Sequence, residues 1–250
     1  MDTTKLFSTK AEKYARYRWD YAPAALQALS DTTGLGPDTV AVDLGAGTGI
    51  LTKHLAGRVR CAFAVEPNAE MVAIAARDLA RHPACRAIAA RAEAVPLADR
   101  CADLITVAQA LHWFEPGAAR AEFVRLLRPG GWLAVLRNRD TGAEVSAALA
   151  AISTLENGVT PDAALPRAEP RPMEFFYGHE AYRHRTYPFT FLQDWPAFFG
   201  GVTSASYMPD EGHPAYTRFE RTARDVFDRF AHDGRLTVQG ETDLWVGHVR

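Results

Sequence analysis

Cysteine is scarce in this chain of 250 residues: three in all, Cys61, Cys85 and Cys101. They lack the close pairing of a zinc site, so no metal is expected. Two of them lie in apolar runs and read as reduced core residues. Long apolar runs are also missing, so no membrane span is expected. Met1-Asp2-Thr3-Thr4-Lys5 begins no signal peptide, and the cytoplasm is the expected location. The formal charge is −2 and basic residues form no block. That leaves no electrostatic footing for nucleic acid or an anionic membrane. Internal repeats and low-complexity tracts are absent as well.

What is present is a globular composition, 48% hydrophobic and 23% charged. The length suits one large domain, or one domain with a small lid. Two helices lead, over 9–17 and 23–33, the second opened by Pro23 and closed near Gly34. A strand–helix alternation follows, with strands over 40–44, 61–65, 85–90, 104–108 and 132–136 and helices over 50–56, 68–81 and 118–127. Apolar strands separated by such helices imply a parallel sheet with right-handed crossovers. Beyond Leu136 the texture changes. A helix is expected over 141–156, then a proline-rich linker over 157–172. An aromatic stretch over 175–207 should hold a strand (185–191) and a short helix (193–200). An amphipathic helix over 216–230 and a final strand over 244–249 complete the series.

Val40–Gly49 carries the chemistry: Val-Ala-Val-Asp-Leu-Gly-Ala-Gly-Thr-Gly. A strand ends in an acid, and a glycine turn leads into a helix N-terminus, the usual way an α/β protein receives a nucleotide-like ligand. A second acid, Glu66, ends the next strand, where a carboxylate can accept from both hydroxyls of a ribose. The dinucleotide fingerprint needs its third glycine at position 50, which is Ile50; Gly49 comes one residue early. No Gly-Lys-Ser/Thr follows, so a Walker loop is excluded.

With these residues the chain resembles the class I S-adenosylmethionine-dependent methyltransferases. Val42–Gly49 is similar to their first motif and Glu66 to their ribose-binding acid. Ala92-Glu93-Ala94-Val95-Pro96 resembles the adenine-side loop after the third strand. Ala108-Gln109-Ala110-Leu111-His112-Trp113-Phe114 resembles the segment after the fourth, and Leu127-Arg128-Pro129-Gly130-Gly131 the turn that starts the fifth. The resemblance implies a Rossmann-like α/β fold: a seven-stranded, mostly parallel sheet with an antiparallel last strand, helices on both faces and a helical, aromatic lid. Residues 1–35 would be an N-terminal helical cap and 36–140 the S-adenosylmethionine-binding core. Residues 141–250 would be a lid insertion plus terminal strands completing the same domain.

The resemblance also implies roles. Asp43, Gly45, Ala46, Gly47 and Gly49 would serve the methionine and ribose portions, Asp43 by holding the loop or facing the ammonium. Met71, Ala92 and Glu93 would flank the adenine, although Met71 suits the core as well. Many relatives carry an aspartate where Arg91 stands. Gln109 would lie under the methionine. His112 and Trp113 are similar to an acceptor-lining pair in carboxylate methyltransferases of the trans-aconitate and juvenile-hormone-acid types. There Trp113 would donate its indole N–H to a substrate oxygen, and His112 would contact substrate or act as base. Tyr14 and Arg18, four apart on one helical face, would address the methionine carboxylate or an acidic substrate. The partner expected is a small molecule, with O-methylation of a carboxylate or hydroxyl; oligomeric state is left open. Two other classes fit less well. A cofactor-binding protein of this fold that steers a cyclisation or rearrangement, or an N- or C-methyltransferase, would share the same motifs. A nicotinamide oxidoreductase is opposed by Ile50 and by the lack of a Tyr-x-x-x-Lys.

Overall fold

A computed structural model describes residues 10–142, 144–145, 147–148, 171–205, 208–209 and 211–250. The described residues fall into two compact units. Those of 20–138, 167–187 and 242–250 form one, and those of 1–19, 139–166 and 188–241 the other.

The first of these holds most of the sheet. Five strands, β1 (Val40–Leu44), β2 (Cys61–Glu66), β3 (Cys85–Ala89), β4 (Ala102–Ala108) and β5 (Leu127–Asp140), run parallel. Two more, β6 (Arg183–Gln193) and β7 (Leu236–His248), close a seven-stranded sheet of order β3-β2-β1-β4-β5-β7-β6, its last strands antiparallel. This is the fold class the sequence implies. Helices lie on both faces. α2 (Pro23–Thr33) and α3 (Ile50–Leu55) bring Leu29, Leu51 and Leu55 onto Ala41, Leu104, Ala134, Leu244 and Val246. On the other face α5 (Pro116–Leu126) and a short α6 (Met173–Tyr177) bring Phe123, Leu126, Phe176 and Tyr177 onto Val42, Ile105, Leu133 and Val135. α4 (Ala69–Leu79) packs Ala75 and Leu79 on Ala64.

Local signals set the helix ends. Pro23 opens α2 and Gly34, in the left-handed region at φ 64°, closes it. The Asn68 side chain accepts the Met71 N–H at 2.9 Å to start α4. Glu115 does the same for Gly117 and Ala118, which moves the start of α5 two residues ahead of the expected one. Leu127–Gly131, expected as a turn, is built into β5 as an irregularity. Ala102 pairs with Leu127 and Leu104 with Trp132, and Gly130 at φ 80° takes up the surplus residues. α2, expected in the cap, belongs to the sheet unit because its apolar face finds its partners there. β7 is longer than the strand expected over 244–249.

The other unit contains α1 (Ala11–Tyr17), α7 (Trp195–Thr203) and α8 (Tyr216–Phe230). α8 buries Phe219, Ala223, Val226 and Phe227 along one stripe, meeting Phe198, Met208, Leu236 and Val238. The Lys10 ammonium is buried and donates to the Ala205 carbonyl at 2.8 Å and to that of Met208. The expected helix over 141–156 and linker over 157–172 lie largely outside the described residues.

Candidate active site

The order β2-β1-β4 makes the carboxyl ends of β1 and β4 the place where the chain's winding reverses, and open α/β sheets receive ligands in that crevice. The loop leaving β1 presses on the segment leaving β4. Gly45 stands at φ 66°, and a Cβ there would lie 2.5 Å from the Ala110 Cβ and 3.1 Å from the Phe114 ring. Only glycine meets both demands. The loop is pinned on its other side, where Ala46 N–H donates to the Val65 carbonyl at 3.0 Å. Gly49 N–H turns back onto the Ala46 carbonyl and caps α3.

Two buried acids organise this loop. Asp43 stands in register with Thr106 of β4. It accepts the hydroxyls of Thr106 at 2.8 Å and of Thr52 on α3 at 2.6 Å, one on each oxygen. Burial pushes its carboxyl up to about 6 against the pull of those hydroxyls. Asp43 therefore ties strand, helix and neighbouring strand together. Glu66 ends β2 and accepts Gly47 N–H and Asn68 N–H, each at 3.0 Å, again one on each oxygen. Burial raises its carboxyl and the two N–H groups act in the opposite sense. Each oxygen accepts one backbone N–H here, and a carboxylate oxygen has a second lone pair for a ligand hydroxyl.

Met71 and Ala92 are buried beside these loops. Glu93 accepts Glu115 N–H at 2.8 Å and faces Arg91 Nε at 3.4 Å, so it joins the loop after β3 to the start of α5. The same loop is held again by Glu122, which accepts Val95 N–H at 2.7 Å. Arg125 binds the carbonyls of Val95 and Leu97 as well as Glu122 and Asp99. Gln109 sits at φ 57°, a left-handed conformation for a non-glycine residue. Its N–H donates to the Leu136 carbonyl and its side-chain amide to that of Asn138.

His112 and Trp113 form a single 3-10 turn, His112 exposed and Trp113 half-buried, with ring centroids 4.8 Å apart. Trp113 lines an open cleft of about 490 Å³ with Arg91, Glu115, Gly117, Arg171 and Phe175. Tyr14 and Arg18 belong to the other unit, where the Arg18 guanidinium lies 4.9 Å from the Tyr14 ring centre.

Sequence reasoning did not single out Thr52 and Thr106, although an acid inside an apolar strand calls for nearby donors. It also missed Glu122, Arg125, Arg171 and Thr48. The Thr48 hydroxyl is buried in the glycine turn and has no hydrogen-bond partner among the described residues. The site suits an adenosyl sulfonium on two grounds. The Glu66 carboxylate meets a turn whose first glycine, Gly45, no side chain can replace, and the unsatisfied Thr48 hydroxyl lies within that turn.

Residues 42–135 match the family model described as a methyltransferase domain. An uncharacterized methyltransferase of Mycobacterium tuberculosis is 37% identical over 137 residues, covering 55% of this chain and 54% of that protein. Residues 42–135 are thus similar to a methyltransferase domain. A malonyl-[acyl-carrier protein] O-methyltransferase of Marinomonas is 30% identical over 132 residues, 52% of this chain and 48% of that protein. The chain spans about half the length of these curated relatives. Among solved structures, a putative type II methyltransferase from Anaeromyxobacter dehalogenans superposes with a TM-score of 0.60 at 21% identity. That match covers 93% of this chain and 98% of the other, and it supports the fold.

Proposed function

We propose that this chain transfers a methyl group from S-adenosylmethionine to an oxygen of a small organic acceptor, a carboxylate or a hydroxyl. The arrangement of Glu66 carries the reading. Its carboxylate ends β2, held by Gly47 N–H and Asn68 N–H, beside a turn that needs glycine at Gly45. The donor supplies a methyl already joined to a good leaving group. The chain's own task is then to bind, align and exclude water, and alignment alone can account for roughly 7–11 kcal/mol of barrier.

In this reading Glu66 accepts the ribose hydroxyls, and Asp43, Gly45, Ala46, Gly47 and Gly49 shape the turn around the methionine portion. Met71, Ala92 and Glu93 border the adenine, and Gln109 lies beneath the methionine. Trp113 offers its indole N–H to an acceptor oxygen, and His112 contacts the acceptor and takes its proton where it carries one. The oxygen preference draws support from the Marinomonas relative, whose own description is an O-methyltransferase.

The test is incubation with S-adenosylmethionine and a panel of carboxylic acids and phenols. S-adenosylhomocysteine is expected to accumulate in step with a methylated product. Tight cofactor binding with no S-adenosylhomocysteine from any acceptor would point to the non-methylating class instead.

A further inference from the structure

The cleft beside Trp113 has a chemistry of its own. Two guanidinium groups border it, Arg91 from the loop after β3 and Arg171 from the segment before α6. Trp113, Pro116 and Phe175 supply apolar wall, the Arg171 guanidinium lying 5.7 Å from the Phe175 ring centre. Two carboxylates stand close, and backbone N–H groups engage both. Glu115 accepts from Gly117 and Ala118, and Glu93 accepts from Glu115. Those N–H groups, with Arg171 nearby, keep the Glu115 carboxyl below its usual value. The start of α5 adds the positive end of an eleven-residue helix. At about 490 Å³ the cleft falls within the range of small-molecule sites.

We infer that this cleft holds an acidic group of the acceptor, a carboxylate or phosphate on an apolar or aromatic body, gripped by Arg91 and Arg171 against Trp113 and Phe175. Guanidinium forks bind such anions through paired N–H bonds. An oxygen gripped in this way has its lone pairs engaged and is a poor nucleophile. The methylated oxygen is therefore a different one, and the acceptor carries at least two oxygen functions, as a hydroxy acid or diacid does. This inference rests on the methyl-transfer reading for its acceptor, but its binding test does not.

The test is calorimetric titration of the protein with benzoate, phenyl phosphate and neutral benzamide, with and without saturating S-adenosylhomocysteine. At least one anion is expected to bind tenfold or more tightly than benzamide, and the stronger of the two identifies the acid. Arg171→Gln and Arg91→Gln should each weaken that anion at least tenfold, and Arg171→Gln should leave the S-adenosylhomocysteine Kd within twofold. Arg171→Lys should restore part of the loss. Equal binding of benzoate, phenyl phosphate and benzamide, or unchanged anion binding in both glutamine variants, overturns the inference. If wild-type protein fails to bind S-adenosylhomocysteine, the methyl-donor reading falls while the anion titrations still decide the cleft. With hydroxybenzoates as acceptors, Arg171→Gln should raise KM with kcat retained, and the matching hydroxybenzamides should show no such change.

Discussion

The loop after β1 and the segment after β4 meet at Gly45, yet they are built on opposite plans. Around the glycine turn the acids are sealed from solvent, Asp43 at 1% exposure and Glu66 at 9%, and each oxygen is met by a backbone N–H or a threonine hydroxyl. Around Trp113 the charged groups are long, open side chains; Arg91 is 63% exposed and meets Glu93 at 3.4 Å. The first region is shaped by backbone, so its tolerances are tight and its ligand is narrowly specified. The second is shaped by side chains from segments far apart in sequence, so it can vary without disturbing the glycine turn.

Substitutions on the glycine side should therefore act on folding and cofactor affinity together. Gly45→Ala is expected to have the largest effect, roughly 4 kcal/mol of stability, from overpacking against Ala110 and Phe114 and from left-handed strain. Urea unfolding measures it, and a loss under 1 kcal/mol would mean that the two loops are not pressed together.

Asp43 comes next, through pH. Its folded carboxyl titrates near 6 against an ordinary value of 3.8, so the folded state holds the proton more firmly than the unfolded one. The stabilisation is fully present below about pH 4 and is lost as pH rises through 6, about 3 kcal/mol in all. The raised Glu66 carboxyl acts in the same direction. Asp43→Asn should flatten the stability profile between pH 4 and 7, and an unchanged slope would remove Asp43 as its source.

The sharpest contrast between the regions comes from a pair of variants read by calorimetry. Glu66→Ala should weaken S-adenosylmethionine binding tenfold or more, consistent with the roughly 1.5–3 kcal/mol of a charged hydrogen bond. His112→Ala, on the other side, should leave that Kd within twofold while S-adenosylhomocysteine production falls. Equal losses in the two variants would erase the distinction.

The glycine turn and its two acids were readable because each of their signals is local. An acid, a glycine turn and a helix start follow one another from Asp43 to Ile50, and Glu66 is marked by its place at a strand end. The five parallel strands were readable from their apolar runs for the same reason. α6 escaped because five residues, Met173–Tyr177, are too few to show a period and carry no capping side chain. The cleft escaped because Arg91 and Arg171 come together only through folding, across 80 positions of chain. Thr106 is paired with Asp43 by strand register, which no linear spacing displays. The Leu127–Gly131 stretch read as a turn because its proline and glycines serve a bulge as readily as a turn.

The strand order also bears on how the chain is assembled during synthesis. β7 lies between β5 and β6, yet it emerges last of the three. Until residues 236–248 have been made, β5 presents an unpaired edge on a sheet of five parallel strands, and β6 has no sheet to join. A chain arrested before β7 therefore carries two unfilled edges, one of them next to buried apolar strand, the condition that favours pairing with another chain. Completion of the sheet is a single late event, in which one strand fills the gap and supplies β6 with its partner.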